Sequence, residues 1–360
     1  MLSLNAQNKR LLLIVGICAI VVLGVVGVLR HAYPSVRLLF HKRLLFRKRW
    51  SVPSEEAQAQ APEGFRSGGL AVGLDVHSGE YNDETKETYF PYQDHRTSVE
   101  LAATLRIRSD FTQTEVYALA LLLDYVQIPL TVTHTSYPVY LVQAEPYDPM
   151  SIDFSLSIPN QPGRHQLCLV LFQGADVNRL NRVSYGFLEA ANIYDIVIGE
   201  DTVPEIVYQE APMVFEFDPK LDVSGVQINQ DPRDGRQPWI SATVPSGKVV
   251  DYYVHVGNAG DDEWLPAHPY VLVAWLDWQQ IPLGAGDTLA FFGYLEAGER
   301  QIIPAQVEIP ADRMGNAGVL HELQLLYIAY PHARMTPYPQ EGAPWPQARF
   351  SQRTALIAGE

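Results

Sequence analysis

Asp124 and Asp277 stand at matching positions between hydrophobic runs, and His165 and His321 stand at matching turn-to-strand junctions. A carboxylate or imidazole in such a place could act as a general base or a ligand. The same placement also suits an Asp that bonds turn amides and a His that bonds a strand edge, and this structural reading is the one adopted. Cys168 lies between Leu167 and Leu169, the setting of a small buried hydrophobe, not of an activated thiolate. Two acidic loops could offer oxygens to a hard cation: Glu80, Asp83, Glu84 and Glu87, and Asp261, Asp262 and Glu263 after Asn258. Neither has the spacing of an EF-hand or a nonapeptide repeat, so both read as solvated surface charge. No Gly-x-Ser-x-Gly, His-Glu-x-x-His, P-loop or Gly-rich dinucleotide fingerprint occurs. No catalytic, cofactor-binding or metal residue is therefore expected. The aromatic set Trp275, Trp278, Phe291, Phe292 and Tyr294 could form a sugar platform or a partner contact. Alternation puts Trp275 and Trp278 on opposite faces, with Trp275 expected in a core and Trp278 outward. The candidate partner-contact residues are Trp278, Tyr125, Asp261, Asp262 and Glu263.

These residues sit inside an internal repeat. Leu123-Asp124-Tyr125-Val126-Gln127-Ile128-Pro129-Leu130 matches Leu276-Asp277-Trp278-Gln279-Gln280-Ile281-Pro282-Leu283 in six of eight positions. Tyr117 and Leu119 upstream answer Tyr270 and Leu272, and His165-Gln166-Leu167 answers His321-Glu322-Leu323 downstream. Several matches in one order point to duplication. Each copy reads as strands. Val99, Leu101, Ala103, Leu105 and Ile107 alternate with Glu100, Thr104, Arg106 and Arg108, and Ile152, Phe154, Leu156 and Ile158 alternate with Ser151, Asp153, Ser155 and Ser157; Val250, Tyr252, Val254 and Val256 repeat the pattern. Turn clusters such as Asn160-Gln161-Pro162-Gly163 separate the strands, and no sustained helical period follows residue 69. An all-β fold of two tandem immunoglobulin-like β-sandwiches is expected, 70–203 and 204–335.

In the second copy the order is strand, Gly257-Asn258-Ala259-Gly260, a strand with Leu276-Asp277, Leu295-Glu296-Ala297-Gly298-Glu299, Ile309-Pro310 and a final strand. This order resembles the bacterial immunoglobulin-like repeats of the CARDB, or cell-adhesion-related, type, over most of 210–330. The first copy departs from it, with Arg108-Ser109-Asp110-Phe111 and Gln143-Ala144-Glu145-Pro146 at the two turns. The resemblance implies adhesion, binding or spacing, and carries no catalytic residues.

Charge is divided along the 360 residues. The first fifty hold no acid and nine bases: Lys9, Arg10, Arg30, Arg37, Lys42, Arg43, Arg47, Lys48 and Arg49; all 41 acidic residues follow, against the remaining 17 bases. So acidic a remainder repels phosphate backbones, which argues against a nucleic-acid partner. Leu11–Leu29 is free of charge, Asn, Gln and Pro, long enough for one transmembrane helix after a short flank, 1–10. The run exceeds a signal-peptide core and ends without a small-x-small site, so an uncleaved, single-pass anchor is expected. In the basic juxtamembrane segment 30–50, Arg37, Lys42, Arg43, Arg47, Lys48, Arg49 and Trp50 are placed to meet the lipid bilayer interface. A flexible linker, 51–69, follows. The positive-inside count argues for a cytoplasmic C-terminal part, whereas tandem acidic sandwiches on a stalk argue for the extracytoplasmic side, which is the side expected. Past Tyr330 the alternation stops and prolines gather, so 336–360 reads as a Pro-rich tail outside the sheets. The expected role is a membrane-anchored, non-enzymatic protein that presents its domains to a protein partner or surface polymer. The alternatives are a carbohydrate-binding or hydrolase-accessory surface protein, and a cytoplasm-facing scaffold.

Overall fold

The computed structural model describes residues 70–82, 87–111, 114–174, 189–245, 247–259, 266–283, 287–310, 313, 317–334 and 346–359. The chain divides into Met1–Ser67 and Gly68–Glu360. The expected anchor, basic segment and linker lie outside the described residues, as do Asp261, Asp262 and Glu263. No helix long and apolar enough to cross a membrane occurs among the described residues.

The first repeat contributes β1 (Leu70–Val76), β2 (Glu80–Asn82), β3 (Glu87–Phe90), β4 (Ser98–Ser109), β5 (Glu115–Leu123), β6 (Val126–Ile128), β7 (Leu130–Val132), β8 (Thr135–Tyr137), β9 (Tyr140–Ala144), β10 (Pro149–Pro159), β11 (Gly163–Gln173) and β12 (Glu189–Ile198). They form a five-stranded sheet, β1-β4-β10-β7-β8, and a seven-stranded sheet, β2-β3-β12-β11-β5-β6 with β9 also on β5. The second repeat contributes β13 (Met213–Glu216), β14 (Gly225–Asn229), β15 (Ser241–Val244), β16 (Val249–Gly257), β17 (His268–Leu276), β18 (Gln279–Ile281), β19 (Ala290–Leu295), β20 (Glu299–Glu308), β21 (Leu320–Ala329), β22 (Gln347–Phe350) and β23 (Thr354–Ala358). They form a four-stranded sheet, β13-β20-β16-β14, and a seven-stranded sheet, β15-β23-β21-β17-β18 with β19 on β17 and β22 on β21.

Each repeat closes its own core. In β4 the alternate residues Val99, Leu101, Ala103, Leu105 and Ile107 turn inward, and they meet Leu119, Leu121, Leu167, Leu169 and Leu171 from the facing sheet. Tyr252, Val254 and Val256 of β16 meet Tyr270, Leu272, Leu323 and Leu325 in the same way. One face of β4 stays polar because that sheet borders water. The strands β5, β11, β17 and β21 differ: nearly every residue along them is buried. Their second faces form a third apolar cluster, in which Ala118, Ala120, Leu122, Cys168, Val170 and Phe172 pack with Val271, Val273, Trp275, Leu326 and Ile328. The two seven-stranded sheets are thus stacked face to face, and the two sandwiches join through an apolar seam.

Two sequence expectations are corrected here. Trp275 does not fill a sandwich core. Tyr270, Leu272, Ala274 and Leu276 take the inward positions of β17, which turns Trp275 to the seam against Phe172, with ring centroids 5.3 Å apart. The C-terminal stretch is not wholly a tail outside the sheets. Its prolines all precede Gln347, so the donors of the last residues are intact. There β22 and β23 pair with β21, and Ala355, Leu356 and Ala358 are buried.

Candidate interaction site

The repeated octapeptides are two hairpin turns that meet at the seam. Both central residues of each turn have positive φ: 48° and 69° at Asp124 and Tyr125, 49° and 66° at Asp277 and Trp278. That is the geometry of a two-residue type I′ hairpin, whose second position usually holds Gly. An aromatic residue there costs on the order of 1 kcal/mol or more. Ring burial offsets the cost: Tyr125 lies 5.7 Å from Phe292 of the second repeat, and Trp278 lies 5.0 Å from Phe172 of the first. Tyr125 is fully buried, so both turn residues expected to touch an outside partner touch the other sandwich.

The turns also bond across the seam, and they do so reciprocally. The Gln127 backbone N–H donates to Gln280 Oε1 (2.6 Å), and the Gln280 backbone N–H donates to Gln127 Oε1 (2.7 Å). Gln127 Nε2 donates to the Trp278 carbonyl (3.3 Å), and Gln280 Nε2 donates to the Tyr125 carbonyl (2.8 Å). Residues 153 apart in sequence therefore play the same part on either side of a local two-fold axis.

The Asp and His residues hold these turns in shape. Asp124 Oδ1 accepts the Gln166 N–H at 2.9 Å, and Oδ2 lies 2.6 Å from His165 Nδ1. Asp277 repeats both contacts with Glu322 (2.9 Å) and His321 (2.6 Å). His165 Nε2 faces the Gln161 carbonyl at 2.9 Å. Burial alone would lower the His165 pKa, but the bonds to Asp124 and Gln161 outweigh it and raise the value. Both ring nitrogens of His165 thus face oxygen acceptors within the fold. Cys168 faces the seam, and burial pushes its thiol up to about 12.

The two ends of the seam are closed by charged groups. Arg164, its side chain fully buried, meets Glu87 (2.5 Å), Asp195 (2.9 Å) and Asp201 (2.6 Å), so Glu87 of the first acidic loop is engaged within the fold. Arg334 of the second repeat also pairs with Asp201. Beside them His332 is wedged between Tyr125 and Phe292, its backbone N–H donating to Gln166 Oε1 at 2.7 Å. At the other end Arg353 lies over the Trp278 ring at 5.0 Å and donates to the Gln173 carbonyl at 2.8 Å. No group of three or more His, Cys, Asp or Glu that could hold a metal ion occurs among the described residues.

Exposed apolar side chains lie outside the cores and the seam, and several of them are on the connection from β12 to β13. The connection from β12 crosses the side of the second sandwich. The Gln209 N–H donates to the Phe292 carbonyl (2.7 Å), and the connection then becomes the edge strand β13 against β20. Along it Val207 (79% exposed), Tyr208, Val214 and Phe215 point outward with Tyr294 of β19. Tyr208 and Tyr294 meet edge to face at 6.1 Å, and the Arg300 guanidinium lies 4.8 Å from the Phe215 ring. Exposed Glu205, Glu210, Glu216 and Glu296 stand near these residues in the sequence. Sequence reasoning missed these residues because no strand was read in the second copy before Val250; their signal is Ile206-Val207-Tyr208 and Met213-Val214-Phe215 set between glutamates.

No family model matches the chain, and no curated protein does. Among solved structures, the chain is similar to red sea bream transglutaminase at 8% identity, over 85% of this chain and 33% of that one, with a TM-score of 0.20. This chain therefore spans about a third of the transglutaminase's length. It is also similar to the C-terminal domain of the Streptococcus agalactiae AgI/II polypeptide BspA at 10% identity, over 81% of this chain and 100% of that one, with a TM-score of 0.21. At these TM-scores neither likeness carries an argument about function.

Proposed function

We propose that the chain is a membrane-anchored, non-enzymatic binding protein whose paired sandwiches present the exposed Tyr208–Tyr294 pair to a protein partner. The observation that carries this reading is the pair itself. The two rings meet edge to face at 6.1 Å and stay exposed, with exposed Val207 beside Tyr208 in the chain. Exposed aromatic residues on a sandwich scaffold supply contact area at low conformational cost. The seam contributes by making two sandwiches one rigid support.

Strand order supports reading each sandwich as immunoglobulin-like, the class that includes the CARDB repeats. In the first, β1-β4-β10-β7 takes the A-B-E-D order and β12-β11-β5 the G-F-C order, with β3 parallel to β12. The second sandwich repeats this order, with β13 in the place of strand D and β15 parallel to β23. The apolar run Leu11–Leu29 supports the anchor.

The test replaces Tyr208 and Tyr294 together by Ser in the full chain, on cells that display it. The expected result is an unchanged amount of membrane-bound, folded protein with loss of attachment to the partner surface. Full attachment by the double variant would refute the assignment of the pair, and release of the wild-type chain from membranes by carbonate would refute the anchor.

A further inference from the structure

The contacts across the seam follow the rule of a two-fold homodimer, in which residue i bonds residue j and j bonds i through one self-complementary patch. Gln127 and Gln280 exchange backbone-to-side-chain bonds, and each also reaches the carbonyl of the other repeat's turn aromatic. The shape match follows the same axis, with Ala118, Ala120, Leu122 and Phe172 on one side and Val271, Val273 and Trp275 on the other. A contact that serves only to fix two unlike domains has no need of this reciprocity.

What makes the seam intramolecular is the connection, residues 199–212, which runs almost wholly exposed from β12 to β13. Every bond that closes the seam joins the first repeat to the second: the two glutamines, Arg334 to Asp201, Arg353 to the Gln173 carbonyl, and His332 to Gln166. A second chain could supply each partner without loss. We infer that the seam is an interface for a second copy of this chain, each copy's first sandwich pairing with the other copy's second sandwich to form a reciprocally exchanged dimer. Within one chain the connection sets a millimolar effective concentration, so the closed monomer dominates in dilute conditions. Chains crowded during synthesis, or joined by a connection too short to let the halves meet, are driven to exchange.

The test co-expresses two differently tagged full-length chains, one carrying Gln127→Cys and the other Gln280→Cys, both with Cys18→Ser, and treats them with a short bis-maleimide. A second pair also lacks Val203–Tyr208. The expected result is a cross-linked product at twice the chain mass that carries both tags, absent when either variant is expressed alone and several-fold more abundant in the shortened pair. Absence of the two-tag product from both pairs, while Cys168 of the full-length-connection pair stays protected from the reagent, overturns the proposal. So does a product that forms equally from Gln127→Cys alone, since that contact is not the seam seen within the chain.

Discussion

Replacing Gln127 by Ala should destabilise the joined sandwiches as much as replacing Gln280 by Ala. Each glutamine makes three bonds. Gln127 accepts the Gln280 N–H and donates to the Pro138 and Trp278 carbonyls, and Gln280 accepts the Gln127 N–H and donates to the Tyr125 and Leu289 carbonyls. Truncation of either leaves one backbone N–H at the seam without its acceptor. A buried group so stranded costs about 1–3 kcal/mol. Both side chains are half-buried, so water reaches part of the site and the lower end applies, about 1 kcal/mol each. That is about 2–4 °C in Tm for a domain of this size class. The double variant should cost about the sum, with a coupling of no more than about 1 kcal/mol. The assay is guanidinium unfolding of residues 68–360, followed by the fluorescence of Trp275 and Trp278 at the seam. Gln306→Ala, which loses only an exposed bond to Asp251, is the control and should stay within about 0.5 kcal/mol of wild type. Costs at Gln127 and Gln280 indistinguishable from the Gln306 control, or unequal by more than about 1.5 kcal/mol, would refute the reciprocal seam.

Deleting 347–360 should leave the second sandwich unable to fold, because β22 and β23 supply buried Ala355, Leu356 and Ala358; loss of the cooperative unfolding transition is the readout. Asp124→Asn should lower the His165 pKa, read from its imidazole resonance. Because that pKa is raised in the folded chain, the pair's contribution is complete below the unfolded value of about 6.5 and is lost as pH rises through the folded value. The variant's stability deficit should therefore shrink toward alkaline pH. His332 has the opposite sign: burial holds its pKa down, with help from His165 and Arg164 and against the pull of Asp124. Its stabilisation is present above about pH 6.5 and is lost as pH falls through the folded value, so His332→Gln should flatten the loss of Tm between pH 7 and 5.

The cores were legible from alternation. In β10 a polar residue stands between each apolar pair, and in β4 between each pair but Leu101 and Ala103, so the period assigns the inward face. The seam was present in the sequence but not read. Leu167-Cys168-Leu169-Val170-Leu171-Phe172 and Tyr270-Val271-Leu272-Val273-Ala274-Trp275 are apolar at every position, which requires a cover on both faces of the strand. Taking only alternate residues as core left Cys168, Val170, Val271 and Val273 without a neighbour. Trp275 was misplaced because likeness to a core tryptophan was weighed above its register with Leu272 and Leu276. The identity of Gln127 and Gln280 was visible in the repeat. Their mutual bonding was not, since it depends on how two sandwiches are set against each other. The tail was misread because proline content was averaged over a segment whose final residues contain none.

Cys168 offers the most direct test of the seam. It lies on the outer face of β11, where Val271, Val273, Trp275 and other residues of the second repeat pack into the same apolar cluster. In residues 68–360 it is the sole cysteine. Without the seam this thiol would face water with an ordinary pKa near 8.5 and would react promptly at pH 8. The account predicts that a thiol reagent labels Cys168 of the native protein no faster than the protein unfolds, with stoichiometric labelling once denaturant is added. Rapid labelling while the β-sheet circular dichroism remains intact would contradict it.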